Sequence, residues 1–405
     1  VRITAIKTWL MQVGADGRRP AARNIAKEQK GPSRRNWVFV KLYTDEGLTG
    51  IGECSGWPSA IRTILHDLEP VLIGEDPQHI ERLWHKVKLA AMGHGFVGTP
   101  LGGALAGIDM ALWDIKGKAL GQPVWSLLGG KVRERVPAYA HADHPERAAD
   151  LAERGFRLLK ASSNNQGVVD VARLFAIREA VGPDVDLCLD AKGAPWMTLP
   201  DAIALGRKLE PLRLAFYEEA LPPEAVLDYA KLRAAVSIPI ATGERYGMLG
   251  EFRTLFAIGG VDVIQPDTGR AGGITQMRKM AALAEAFGAM IAPHSGSLGP
   301  VAEFAAVHLM AATPNCLAIE RVEDDWPGRE EVITNACRAE GGSFRVPDAP
   351  GLGVDIVERE VERYPTELNV DLPRPGDADV QAAGAADFLW QGLLKRRAGY
   401  LDPRS

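Results

Sequence analysis

The sequence predicts an α/β protein built on a closed (β/α)8-type barrel, with an α+β region ahead of it. Three observations carry this. After Val136, short apolar runs alternate with helical stretches of about ten to fifteen residues, the rhythm of parallel strands joined by crossover helices. Eight such runs are present (VPAYAHAD, RLLKASS, VDLCLDAK, LAFYEEA, IPIATGE, DVIQPD, AMIAPHS and CLAIER), and a count of eight favours closure over an open sheet. Residues 1–128 have a different pattern.

In that first part, residues 1–52 alternate β-like runs with turns. Trp37, Phe39 and Leu42 stand in one run, closed by Asp45, Glu46 and Gly47, which reads as a small antiparallel sheet. From residue 59 to 128 the spacing is helical: Leu65, Leu68, Val71 and Leu72 form one stripe, and the run GGALAGIDMALWDIKGKALG ends in glycine ahead of Pro123.

Composition bounds the function. With 405 residues, 46% hydrophobic and 24% charged, the chain can bury a large core in more than one domain. There is no apolar run long enough for a membrane span, and VRITAIKTWL lacks the regions of a signal peptide, so the expectation is a cytoplasmic protein without a membrane partner. The net charge of −5 argues against nucleic acid. Cys54, Cys188, Cys316 and Cys337 lack CxxC spacing and read as reduced core residues. One local exception to the acidic balance is the stretch 14–35, where Arg18, Arg19, Arg23, Lys27, Lys30, Arg34 and Arg35 oppose only Asp16 and Glu28. It reads either as a solvated face or as a lid over an anionic small molecule.

The chemistry lies at the ends of the eight runs. Asp190, Glu218 and Glu219, Glu244, Asp267, His294 and Glu320 close the third to eighth runs, and Lys160 lies in the second. In a closed barrel the C-terminal strand ends form one ring, where reacting groups collect. Carboxylates so crowded raise one another's pKa and need a compensating cation. Oxygen donors on three adjacent strands suit Mg2+.

The stretches GIDMALWDIKGKALGQPVWSLLGG (107–130), LDAK (189–192), YEEA (217–220), ATGE (241–244), IQPD (264–267), APHS (292–295), AIER (318–321) and PGLGVD (350–355), in this order and spacing, resemble the mandelate racemase subgroup of the enolase superfamily. The resemblance implies a modified TIM barrel (126–345), an α+β capping domain (1–125) and a C-terminal segment (346–405) that returns to the cap. It further implies Asp190, Glu218 and Glu244 as Mg2+ ligands, a His294–Asp267 dyad, Glu320 as the acid that meets the substrate carboxylate, and Lys160 as the first lysine of a K-x-K motif. A homo-oligomer is the form it implies.

General chemistry fits these roles. Removing a weakly acidic proton α to a carboxylate requires a fixed cation and donors for the enediolate charge, which Mg2+ and Lys160 can supply. Histidine offers a base with a pKa near neutral, and a partner carboxylate orients it.

Two departures bear on the reaction. Ser162 stands where relatives often carry the second lysine, and a neutral hydroxyl cannot act unaided as the base on the opposite face. Lys192 stands two residues after Asp190 and is a candidate to bind the far end of the substrate, to act as a base of lowered pKa, or simply to pair with nearby acids. Arg23, Ser162, Trp57 and Trp326 are further candidates for substrate contact, packing being the alternative for the two tryptophans.

The reading that follows is an acid-sugar dehydratase, in which His294 removes the α-proton and then protonates the departing β-hydroxyl. A racemase, epimerase or lactone cycloisomerase would use the same groups without releasing water. A non-catalytic binding protein on this fold is the third reading.

Overall fold

The computed structural model describes residues 1–14, 36–93, 98–163, 168–193, 196–296 and 298–366. Arg23 and residues 15–35 of the basic stretch lie outside the described residues.

The first three strands, β1 (Ile3–Gln12), β2 (Asn36–Thr44) and β3 (Thr49–Cys54), pair antiparallel in the order β1-β2-β3. β2 is rich in aromatic and β-branched residues and is buried along almost its whole length. Three helices follow: α1 (Pro58–Leu72), α2 (Ile80–Met92) and α3 (Thr99–Leu120), then the short α4 (Val124–Leu127). Proline enters the first turn of α3 and Gly121 ends it in the left-handed conformation. α3 is buried on all sides because its small residues admit other backbone. A Cβ on Gly52 would overlap the carbonyl oxygen of Gly107, so sheet and helix cross at a distance only glycine permits.

The barrel is built from β4 (Arg135–His141), α5 (Pro145–Glu153), β5 (Leu158–Ser162), α6 (Val171–Val181), β6 (Asp186–Asp190), α7 (Leu199–Leu209), β7 (Tyr217–Glu218) and α8 (Val226–Ala235). It continues through β8 (Ile240–Thr242), α9 (Leu249–Ala257), β9 (Val263–Ile264), α10 (Gly273–Ala286), β10 (Met290–Ile291), α11 (Pro300–Ala311) and β11 (Ile319–Arg321). These eight strands are the eight apolar runs. They pair parallel in chain order from β4 to β10. Closure comes from β11, which pairs with β4 (Glu320 opposite Tyr139) and meets β10 through an Ile291–Cys316 bridge. After β11 the described chain makes a 3₁₀ turn (Pro327–Glu330), not another crossover helix. A hairpin of β12 (Ala339–Glu340) and β13 (Ser343–Arg345) lies against the first residues of β4.

Side chains in a strand alternate between faces, and this places the site. Tyr139, Leu158, Cys188, Phe216, Ala241, Val263, Ala292 and Ala318, one from each strand or its flank, pack together as a buried interior layer. Two residues further along each chain stand His141, Lys160, Asp190, Glu218, Gly243, Gln265, His294 and Glu320. Seven of these eight are polar, so the same inward face passes from an apolar floor to a polar layer; the exception is Gly243, and Glu244 beside it supplies the acid at that strand.

The chain then returns to the three-stranded sheet. Lys41 Nζ lies 2.9 Å from Asp355, the Gln12 N–H donates to the Tyr364 carbonyl, and α12 (Glu358–Val361) brings Glu358 to Lys7 and Lys41. On the barrel side, the Glu53 carboxylate accepts from the backbone N–H groups of Gly299, Val301 and Ala302, the start of α11.

No helix among the described residues is long and apolar enough to cross a membrane. The four cysteines are unpaired, three of them buried.

Burial pushes the Glu53 carboxyl up to about 7, against the opposing pull of those N–H groups and Arg329. Ionising it therefore costs the folded state about 3 kcal/mol. The folded value lies above the unfolded one, so the penalty is absent below about pH 4 and complete above about pH 8. The stability of the native chain relative to Glu53→Gln should fall across that interval, read from urea midpoints; parallel pH curves would show that the charge is carried without cost.

Candidate active site

The polar layer gathers three carboxylates on consecutive strands. Ligand oxygens of Asp190 (β6), Glu218 (β7) and Glu244 (after β8) all lie within 4.8 Å of one another, and all three residues are buried. Lys160 Nζ, fully buried, reaches Glu218 Oε1 at 2.6 Å, Glu320 Oε1 at 2.9 Å and Asp190 at 3.4 Å. Gln265 Nε2 donates to the other oxygen of Glu218 at 2.9 Å. Arg245 pairs with Glu244 and with Glu219, and its guanidinium lies 5.0 Å from the Trp196 ring centre.

The electrostatics follow from this crowding. Burial pushes Glu218 up to about 8, with Asp190, Glu320 and Glu244 adding to the rise and Lys160 opposing it. Asp190 and Glu244 are pulled below the usual carboxylate range: burial resists, but Lys192 and Lys160 outweigh it for Asp190, joined by His294 and Arg245 for Glu244. The nearby cations do not balance every acid.

A hard divalent cation fits this donor set. Three carboxylates converge, and Glu244 Oε2 is a buried oxygen with no hydrogen-bond partner among the described residues, with His294 Nε2 3.2 Å away.

His294 and Asp267 are joined as a parallel bridge between the ends of β10 and β9. His294 Nδ1 bonds Asp267 Oδ2 at 2.8 Å, which puts the proton on Nδ1 and turns Nε2 toward Glu244 (3.2 Å) and Glu320 (3.7 Å). Burial opposes the imidazolium, yet Glu244, Glu320 and Asp267 together hold the His294 pKa above its ordinary value. Glu320 is held by four donors: His141 Nε2 (2.6 Å) and Lys160 at Oε1, and the N–H groups of Ser295 (2.8 Å) and Gly296 (3.0 Å) at Oε2. Burial resists, but Lys160, His294 and His141 keep its carboxyl well below the usual range.

The other sequence candidates are less central. Lys192 donates to Asp190 Oδ2 at 2.5 Å and keeps its side chain about one-third exposed. Burial pulls the Lys192 pKa down, but Asp190 and Glu244 raise it above the ordinary lysine value, which accords with the ion-pair alternative and not with a base of lowered pKa. Ser162 sits opposite Asp190 in the strand register, its N–H bonded to Asp143 and its carbonyl to Arg173. Trp57 is half-exposed at the start of α1. Trp326, 3% exposed, packs edge-on to Trp37 and Tyr364, which gives it a packing role between cap strand and C-terminal segment.

Two polar neighbours are not among the run ends. His141 and Gln265 belong to the inward register two residues beyond Tyr139 and Val263, a signal present in the alternation. Glu219 points away from the ring to Thr242 and Arg245, from a backbone at φ 49°. Its reach to Arg245 has no sequence signal.

Residues 143–360 match the family described as enolase C-terminal domain-like, and residues 14–129 match the mandelate racemase/muconate lactonizing enzyme N-terminal domain. The chain belongs to the mandelate racemase subgroup of the enolase superfamily. Enzymes of this superfamily bind a divalent metal, in keeping with the three-carboxylate cluster. One curated relative, the D-galactonate dehydratase of Ralstonia pickettii (strain 12J), is 38% identical over 347 residues, 80% of this chain and 89% of that protein. Among solved structures, a mandelate racemase/muconate lactonizing enzyme from Sulfitobacter sp. superposes with a TM-score of 0.80 at 32% identity, covering 91% of this chain and 96% of its own. The 3,6-anhydro-D-galactonate cycloisomerase from Zobellia galactanivorans does so at 0.79 and 31%, covering 91% and 100%.

A divalent cation at a hundredfold excess over its Kd should stabilise the native chain by about 2.7 kcal/mol, read as a concentration-dependent rise in Tm. Glu244→Gln should abolish most of that rise. In EDTA, Lys160→Met should lose about 3–5 kcal/mol, because the acids around it lose a buried cation; an unchanged urea midpoint would contradict this.

Proposed function

We propose that this chain dehydrates a sugar acid, an aldonate or an aldarate, to the 2-keto-3-deoxy acid. The observation that carries the reading is the orientation of His294: Nδ1 is held by Asp267 while Nε2 faces the space between Glu244 and Glu320. The likeness to a D-galactonate dehydratase over most of both chains supports it.

Asp190, Glu218 and Glu244 would hold Mg2+, which when bound supplies Lewis-acid stabilisation of charge on the substrate carboxylate. His294 Nε2 takes the α-proton, breaking the C–H bond. Lys160, buried beside Glu218 and Glu320, offers its ammonium to the enediolate oxygens. Glu320 meets the carboxylate end of the substrate. The imidazolium of His294 then returns its proton to the β-hydroxyl as the C–O bond breaks, water leaves, and the enol tautomerises to the keto acid. Ser162 leaves the opposite face without the second lysine, so one imidazole carries both transfers. Lys192, Arg23 and Trp57 are the candidates for contacts with the rest of the substrate, and a homo-oligomer is the expected form.

A cycloisomerase is the second reading, supported by the Zobellia structure at the same TM-score range as the others. It would use the same base without forming a keto acid from an open-chain acid.

A panel of sugar acids incubated with Mg2+, with EDTA as control, should yield a 2-keto acid from at least one aldonate or aldarate. His294→Asn should lower its rate on the order of 10²- to 10⁴-fold. Exchange of the α-proton in D2O with no keto acid from any substrate would replace dehydration with isomerisation, and full activity in His294→Asn would remove the dyad from the mechanism.

A further inference from the structure

The cap and both halves of the ring meet at one side chain, Arg270, in the turn between β9 and α10. The turn is tight: the N–H groups of Arg270 (2.9 Å) and Ala271 (2.7 Å) both donate to the Asp267 carbonyl. It is also pinned from the cap, because the Ser55 N–H donates to the Gly269 carbonyl at 2.6 Å and a Cβ on Gly102 of α3 would overlap the Arg270 carbonyl oxygen. The Arg270 side chain, 15% exposed, points back into the ring.

Its planar guanidinium makes two sets of contacts at once. Nη1 donates to the backbone carbonyl of Glu244 at 2.7 Å, on the carboxylate side. Nη2 donates to Ser55 Oγ at 3.3 Å and lies 3.6 Å from Asp267 Oδ2, on the proton-transfer side. Ser55 Oγ in turn donates to the same Asp267 Oδ2 at 3.5 Å, the oxygen that accepts from His294 Nδ1. Asp267 Oδ1 is buried with no hydrogen-bond partner among the described residues, so the orientation of this carboxylate rests on Oδ2.

We propose that Arg270 is a positioning residue for the α-proton transfer: by bridging the Glu244 backbone to Ser55 and Asp267, it fixes where His294 Nε2 stands relative to Glu244. The inference rests on the dehydratase reading for its kinetic part only. Lysine keeps the charge but has no fork to span the two sides, so Arg270→Lys is not conservative here. A displacement of the base by about 1 Å costs on the order of 10²-fold in rate.

The test combines kinetics with a signal that needs no substrate. The imidazole Nδ1–H bonded to a buried carboxylate gives a far-downfield proton resonance, assigned to His294 by its absence in His294→Asn. Arg270→Lys should shift or broaden that resonance, lower kcat on the order of 10²-fold with KM within about threefold of the native value, and raise the primary isotope effect of an α-deuterated substrate. Arg270→Gly should behave likewise and recover part of both readouts with millimolar guanidinium. Ser55→Ala breaks the same chain from the cap side and should move the resonance in the same direction, which decides the matter if the Arg270 variants do not fold. An unchanged resonance in every folded variant, or native kcat in Arg270→Lys, overturns the proposal. A native enzyme that forms no keto acid sinks the dehydratase reading and leaves the resonance test standing.

Discussion

The constraint on which the structure depends is like charge at close range in a buried place. Ligand oxygens of Asp190, Glu218 and Glu244 lie within 4.8 Å of one another, and Glu320 and Asp267 stand nearby. In a low dielectric such a set would spring apart or take up protons. Lys160 sits among them as a buried counter-charge, and His294 and Lys192 lean toward them. Asp190, Glu218, Lys160 and Glu320 are set within strands, and Asp267 and His294 in a bridge between strand ends, which limits how far the backbone can move to relax the repulsion. It is held as a standing demand for a cation.

Much of this was legible because a barrel strand repeats a simple rule. Runs such as VDLCLDAK and LAFYEEA show an apolar stretch followed by an acid, and eight of them imply a closed ring. Periodicity exposed the eight strands and α3, and strand ends exposed the acids, Lys160 and His294. His141 is less visible because VPAYAHAD continues past it to Asp143, so the run does not end on the inward-facing residue. Arg270 and Ser55 were illegible for another reason. Their roles arise where a turn of the barrel touches the exit of a cap strand, a contact between residues far apart in the chain that no local pattern encodes.

The seams of the cap, with the barrel and with the C-terminal segment, repeat a single device. Glu53 caps the start of α11, Asp109 of α3 accepts from the Thr275 N–H near the start of α10, and Asp114 accepts from the N–H groups of Ile51 and Leu352. Burial raises the pKa of all three, most plainly Glu53 and Asp109, both to about 7. Directional acceptors aimed at backbone N–H groups give these seams a defined register, which an apolar contact alone would specify less sharply.

The apolar floor of the barrel gives the ring a modular character. Each strand or its flank supplies one floor residue, and in seven of the eight the position two further on carries a polar side chain; at β8 it is Gly243, at φ 134° and without room for a Cβ, and Glu244 beside it supplies the acid. Exchanging histidine, lysine, glutamine or acid at such a position alters the reagents on offer while the packing beneath stays intact. A lineage carrying this fold can therefore change the chemistry on offer by replacements at these seven positions, within the limits that the buried charges set on one another.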